Sequence, residues 1–346
     1  MLGWLLFATW CVFSVRALAG AFLKWRRAAN EQEKDTARRC AVIAAIRALL
    51  IALGLRLLTW FARVYVFALW YQDLGYGNRY WTEFNTKMLL FWVAFVPVAI
   101  FYAANAYALR GLFAPDGRIT KLLFRAGAAV LCLGGAVYFG FDAELYWDDL
   151  LLFLHQQPFG KTDPVFAKDI GFFVFTLPIL QIVTYTIYDV VKLATTVVAI
   201  VYGAMWSIRF YLDRKRDTQS GRPGRIWQAG AAHTARLGIL LLMPIALNAF
   251  IGRYKVVYSA HGHVYGAGWT DLFVRIPAYW LYIATIAAVI PCLLLTVYSR
   301  QVRNRFRKVA ILFGCVLAVR WCALDILPDM VQTAHVDPNE LQLERP

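Results

Sequence analysis

Eight long apolar stretches run through the chain, at residues 2–23, 44–70, 88–109, 121–141, 180–208, 231–252, 276–298 and 309–327, with short loops between them. A helix needs about 20 mostly apolar residues to cross the hydrocarbon core of a bilayer. These apolar residues come in blocks, not at the helical period of 3.6 or the strand period of 2 that marks a half-buried element. Only 16% of the 346 residues are charged and 60% are hydrophobic, against about 25% charged in an ordinary soluble domain. The expected fold is all-α: a polytopic integral membrane bundle of about eight transmembrane helices.

The net charge of +15 raises the question of nucleic acid. The distribution argues against it, because a nucleic-acid surface gathers its basic residues on one soluble face. Here they gather in alternate loops. Residues 24–39 carry six Lys or Arg, 110–125 four, 209–225 six and 300–308 five, 21 in all. The opposite loops and the tail carry eight: Arg79, Lys87, Lys161, Lys168, Arg253, Lys255, Arg275 and Arg345. Cytoplasmic loops carry the excess of Lys and Arg. That split places the protein in the bacterial cytoplasmic (inner) membrane as a multi-pass chain, with N- and C-termini both extracytoplasmic. The lipid bilayer is then its first partner.

Ala17-Leu18-Ala19 before Gly20 has the small-residue pattern of a signal-peptidase site. No basic residue precedes the apolar run, and cleavage would strand the basic segment outside, so the first stretch is expected to remain as a span. Of the six cysteines, five lie inside apolar stretches and Cys40 at the mouth of one. With no CxxC among them, they suit apolar filler better than a disulfide framework.

The expected outer loops are the ones rich in pattern. Residues 142–180 include an apolar run, Leu150 to Leu154, too short to span; it predicts amphipathic helices lying in the membrane interface. Gly171 to Ile179 is interrupted by Pro178 and is expected to break or re-enter before the fifth span proper. Four segments, LWYQDLGYGNRYW (69–81), PFGKTDPVFAKDIGFFVFTLP (158–178), RYKVVYSAHGHVYGAGWTD (253–271) with RIPA (275–278), and VQTAHVDPNELQLERP (331–346), resemble the membrane portion of a bacterial and archaeal uncharacterised protein family, number 0182 in that series. The resemblance covers about residues 55–346. It implies seven spans followed by a large extracytoplasmic domain, and no established activity, substrate or cofactor. The organisation expected is therefore an extra N-terminal span and basic cytoplasmic loop (1–40), a family-like bundle (41–327) and an extracytoplasmic tail (328–346) that starts a soluble domain.

Charges inside spans are costly, about 2.5–3.5 kcal/mol at a helix centre on insertion scales, so each is a functional candidate. Arg56 and Arg63 are seven residues apart on one face of the second span and are expected to point to an interior or polar cavity. Asp189 and Lys192 have ion-pair spacing. Arg320 and Asp325 lie in the last span. Together they would serve an ion or proton pathway, or an anionic lipid head group. In the outer loops Asp163, Pro164, Asp169, Tyr258, Gly266, Trp269, Asp271 and Arg275 are candidates for docking a partner subunit, although Asp163-Pro164 also opens turns and Asp169 could cap a helix. His261 and His263 form an H-x-H pair, short of the three or four ligands a zinc site needs, so neither metal nor other cofactor is expected.

Two function classes follow: a non-catalytic scaffold or accessory subunit of a larger cell-envelope complex, favoured because the motif-like residues lie in the outer loops, and a transporter or channel using the buried charges. An envelope-biogenesis enzyme is a weaker third.

Overall fold

The computed structural model describes residues 31–113, 118–215, 222–259, 266–298 and 305–343, with isolated positions before residue 31. The described residues are mostly helical. Extended pairing among them is a single antiparallel bridge, Thr162 to Asp169. The long helices are α1 (Glu31–Asp73), α2 (Gly77–Leu109) and α3 (Arg118–Glu144). After a short α4 (Trp147–Leu154) come α5 (Leu177–Lys215), α6 (Arg222–Gly252), α7 (Ile276–Tyr298) and α8 (Arg305–Arg320). Beyond α8 the chain continues through a π-turn (Trp321–Ile326), α9 (Leu327–Val331), a second π-turn (Gln332–Val336), a 3-10 turn and α10 (Glu340–Leu343).

Seven helices among the described residues are long and apolar enough to cross a membrane: Gln32–Asp73, Gly77–Leu109, Lys121–Glu144, Phe172–Leu212, Ala229–Tyr258, Asp271–Leu295 and Arg307–Asn339. They match the second to eighth stretches expected. The first, 2–23, lies outside the described residues. Many of the largest apolar side chains face outward; Val130 is 71% exposed and Leu295 73%. That outward apolar surface is what a helix in lipid presents.

The chain divides into two compact units, one ending at Asn85 and one beginning at Thr86. The first pairs α1 with the start of α2 through aromatic contacts. Tyr80 donates to the Val64 carbonyl (2.9 Å), and its ring meets Tyr71 and Phe84.

In the second unit α5 is the central strut. Val190 and Ala194 pack with Val98, Tyr102, Ala136 and Phe139 of α2 and α3, and Val198 packs with Leu109 and with Leu237 of α6. A further core joins α6, α7 and α8 through Leu242, Tyr282, Ile286, Leu293 and Val316. Small residues allow these approaches. A Cβ on Gly135 would stand 2.7 Å from the Tyr102 ring, and one on Gly238 2.5 Å from Phe313.

Two sequence expectations are corrected here. Pro178 does not break the chain, because a π-turn (Phe172–Thr176) runs directly into α5. The wider turn hands the Leu177 N–H to the Phe172 carbonyl, and Pro178 falls in the first turn of α5, where its missing N–H matters least. The last helix also does not stop near residue 327. Pro328 and Val336 are fully buried and the helix continues to Asn339.

Candidate functional site

The four helices α5 to α8 line an open cavity of about 640 Å³. Each helix contributes residues three, four or seven apart, the spacing that keeps side chains on one face. From α7 and the π-turn before it come Arg275, Tyr279 and Tyr282, and from α5 Tyr185 and Tyr188. From α6 and its 3-10 extension (Arg253–Tyr258) come Asn248, Gly252 and Lys255. From α8 and the following π-turn come Leu317, Arg320, Leu324 and Asp325. Gly252 permits the wall to close, since a Cβ there would stand 3.1 Å from Tyr279.

Among the described residues the lining carries three cations and one carboxylate. Arg275 Nη1 is engaged by Asp271 Oδ1 at 2.6 Å. Lys255 lies over the Tyr185 ring, 5.4 Å from its centroid, and reaches its hydroxyl at 3.4 Å. Among the described residues, Arg320 and Asp325 form no ion pair within 4.0 Å. Lys255 and Arg320, beside the hydroxyls of Tyr185, Tyr188, Tyr279 and Tyr282, make a set of donors suited to an anion, while the fifth tyrosine of the lining, Tyr258, donates to the Phe173 carbonyl. Among the described residues the lining holds no histidine or cysteine.

A second cavity of about 550 Å³ adjoins the first, with Tyr185 in both linings. It contains the Asp189–Lys192 pair, closed at 2.7 Å as the i,i+3 spacing predicts, with both side chains about half exposed. Asp142, Tyr146 and Asp149 line its other side. Burial, helped by the neighbouring Asp148 charge, pushes the Asp149 carboxyl above its ordinary value.

The loop residues expected to dock a partner make contacts within the chain. Asp163 Oδ2 accepts the Val165 and Phe166 N–H groups (3.0 and 2.7 Å), with Pro164 between, and the turn presents Phe166 to the Tyr254 ring. Asp169 accepts from Phe159, Gly160 and Gly171. These three donors, Gly171 foremost, hold its carboxyl below the usual range against a small opposing effect of burial. Tyr258 donates to the Phe173 carbonyl (2.7 Å). Gly266 takes φ +133°, a backbone region that glycine enters without penalty. The Trp269 ring lies against that of His335 at a tilt of 58°, and Thr270 bonds Gln332. Asp271, only 3% exposed, also receives the Gly268 N–H.

The structure thus brings Arg275, Tyr258, Arg320 and Asp325 to one cavity, and Asp189 with Lys192 to its neighbour. Arg56 and Arg63 stand exposed along α1 instead of enclosed within their unit. His261 and His263 lie outside the described residues. Among the described residues no group of three or more His, Cys, Asp or Glu could hold a metal ion. Sequence reasoning missed Lys255 and the four tyrosines. The stripe Arg275-Tyr279-Tyr282 was the available signal, hidden because tyrosines near span ends already have an explanation as interface anchors.

The chain is similar to bacterial proteins of substantially greater length. A relative from Arthrobacter sp. (strain FB24) is 32% identical over 298 residues, 82% of this chain and 28% of the relative. One from Cupriavidus necator is 29% identical over 292 residues, 80% of this chain and 31% of the relative. One from Synechococcus sp. is 28% identical over 310 residues, 86% and 34% respectively. The chain therefore spans about a third of the length of these relatives. No solved structure matches it. Residues 42–346 match the Uncharacterised protein family (UPF0182), and the chain belongs to that family.

Proposed function

We propose that this is a multi-pass protein of the bacterial cytoplasmic membrane that binds an anionic molecule in the cavity between α5 and α8, as the ligand site of a transport or ligand-presenting system. The observation carrying this reading is the pair Lys255 and Arg320, facing a 640 Å³ cavity that holds one carboxylate among the described residues. A cation set within a span costs several kcal/mol unless something compensates it, and an anion entering the cavity would do so. The tyrosine hydroxyls add neutral donors that can grade affinity without adding charge. The basic-loop asymmetry supports an orientation with both termini outside and the cavity opening toward the outer face.

The scaffold reading keeps one support. The relatives match this chain over only 28–34% of their length, so in them a membrane portion of this kind accompanies a further portion that it could hold in place. The outer-loop residues that first favoured docking are engaged within the chain, which moves the weight to the cavity.

Protein purified in mild detergent from native membranes, analysed by native mass spectrometry, tests the proposal. A stoichiometric bound anion, lost in the Lys255→Gln/Arg320→Gln variant while the protein stays monodisperse, is the expected result. Identical bound mass in both proteins would sink the cavity reading. A stable complex with another subunit, unaffected by the two substitutions, would return the weight to the scaffold.

A further inference from the structure

A further cavity lies where α2 ends and α3 begins. It measures about 590 Å³ and is lined by Arg110, Lys121 and Arg125, with Tyr107, Ala106 and Phe124. A second, apolar cleft of about 270 Å³ runs from it between α2, α3 and α5. Ala106, Phe124 and Ala128 belong to both linings, so the two are continuous. Among the described residues, neither lining contains a carboxylate.

The polar groups deep in the cleft are already committed. Tyr102 donates to the Val190 carbonyl, and Asn105 bridges the Phe101 carbonyl and His233. What stays open is apolar wall: Leu109, Leu123, Leu131, Val197 and Val201. At about 30 Å³ per water-sized group, the cleft has room for a stretch of hydrocarbon chain and not for a folded peptide. Arg110 is fixed by stacking on Tyr107, its guanidinium carbon 3.4 Å from the ring centroid. A guanidinium held by its face keeps its N–H edge free for a phosphate.

From this continuity of a three-cation mouth with an apolar cleft, we infer that α2, α3 and α5 form a binding site for an anionic glycerophospholipid, its phosphate at Arg110, Lys121 and Arg125 and one acyl chain between Gly127 and Val201. Basic pockets between spans on the cytoplasmic side are where anionic head groups bind, and the loop charges put this end inside. The inference rests on the membrane reading but not on the cavity between α5 and α8, and its residues are different ones.

Gly127 provides a clean probe, because a Cβ there meets nothing within 4 Å. A larger side chain can enter the cleft without first displacing the fold. The protein would be purified in detergent, offered equal phosphatidylglycerol and phosphatidylcholine, and read by native mass spectrometry. The wild-type chain is expected to retain phosphatidylglycerol about tenfold over phosphatidylcholine, the discrimination worth roughly 1.4 kcal/mol. Arg110→Gln/Lys121→Gln/Arg125→Gln should bring that ratio to near one, Gly127→Leu should lower retention of both lipids, and Arg307→Gln, a basic residue elsewhere, should change neither. Equal retention of the two lipids by the wild type would overturn the inference. So would a triple variant that discriminates as before. Displacement by inorganic phosphate at the same concentration as lipid would reassign the site to a free anion and overturn it too.

Discussion

Asp271 and Arg275, one helical turn apart, form a largely buried ion pair. Arg275 Nη1 donates to Asp271 Oδ1 at 2.6 Å, and their side chains are 19% and 4% exposed for arginine and aspartate respectively. The second carboxylate oxygen receives the Gly268 N–H. One buried aspartate thereby fixes the start of the π-turn before α7 and holds Arg275 at the cavity wall.

Removing one partner of such a pair leaves a buried charge uncompensated, at a cost of about 3–5 kcal/mol. Asp271→Ala should therefore destabilise more than Asp271→Ala/Arg275→Ala, which removes both charges. Unfolding in denaturing detergent, followed by tryptophan fluorescence, would show it. If the double variant is as unstable as the sum of the singles, the pair is not coupled in the way described.

The helices were legible in the sequence because lipid demands continuous apolar blocks, and a block announces itself without any partner. The Asp189–Lys192 contact was legible for the same local reason, being fixed by the i,i+3 spacing within one helix. The cavity was not. Lys255, Arg320, Tyr185 and Tyr279 lie on four different helices, and only packing decides that they meet. The loop residues expected to dock a partner also carry internal contacts: Asp163 and Asp169 supply acceptors to backbone N–H groups that have no ladder to join. A residue that holds a loop and a residue that docks a partner leave the same trace in one sequence.

Asp169 predicts a pH dependence confined to its loop. Three backbone donors lower its folded-state carboxyl below the ordinary value, which is about 3.9 for an unfolded aspartate. A lowered pKa means the ionised form is favoured by folding. Its contribution is complete above the unfolded value and is lost as pH falls through the lower, folded one. Hydrogen exchange at Phe159, Gly160 and Gly171 should be protected evenly from pH 7 to about 5 and lose protection below about 4, after correction for intrinsic rates. Asp169→Asn should lack that acid transition. Unchanged protection in Asp169→Asn would show that the amides are held by something else.

Two adjacent glycines should respond with opposite signs. Gly134 faces open space, whereas a Cβ on Gly135 would come within 2.7 Å of the buried Tyr102 ring. Tyr102 cannot retreat freely, because its hydroxyl is tied to the Val190 carbonyl and its ring fills the α2–α3–α5 core. Gly135→Ala should cost about 1–3 kcal/mol by overpacking. Gly134→Ala should be neutral or stabilising by up to about 1 kcal/mol, as expected for a helix-interior glycine. Thermal unfolding in detergent separates the two; equal behaviour would mean that α2 and α3 do not approach through Gly135.

Orientation is open to direct labelling. Thr36, exposed at the start of α1, lies in a basic loop expected inside, and Gln157, exposed after α4, lies in a loop expected outside. In a background with the six native cysteines replaced, a membrane-impermeant maleimide added to intact cells should label Gln157→Cys and leave Thr36→Cys unmodified until the membrane is permeabilised. The opposite pattern would invert the topology. It would place the Lys255–Arg320 cavity toward the cytoplasm and the three-cation mouth at Arg110, Lys121 and Arg125 toward the outer leaflet, so both ligand assignments would need to be argued again from that side. Labelling at both positions in intact cells would contradict any single orientation, and with it the inference that 21 of 36 basic residues mark the inner face.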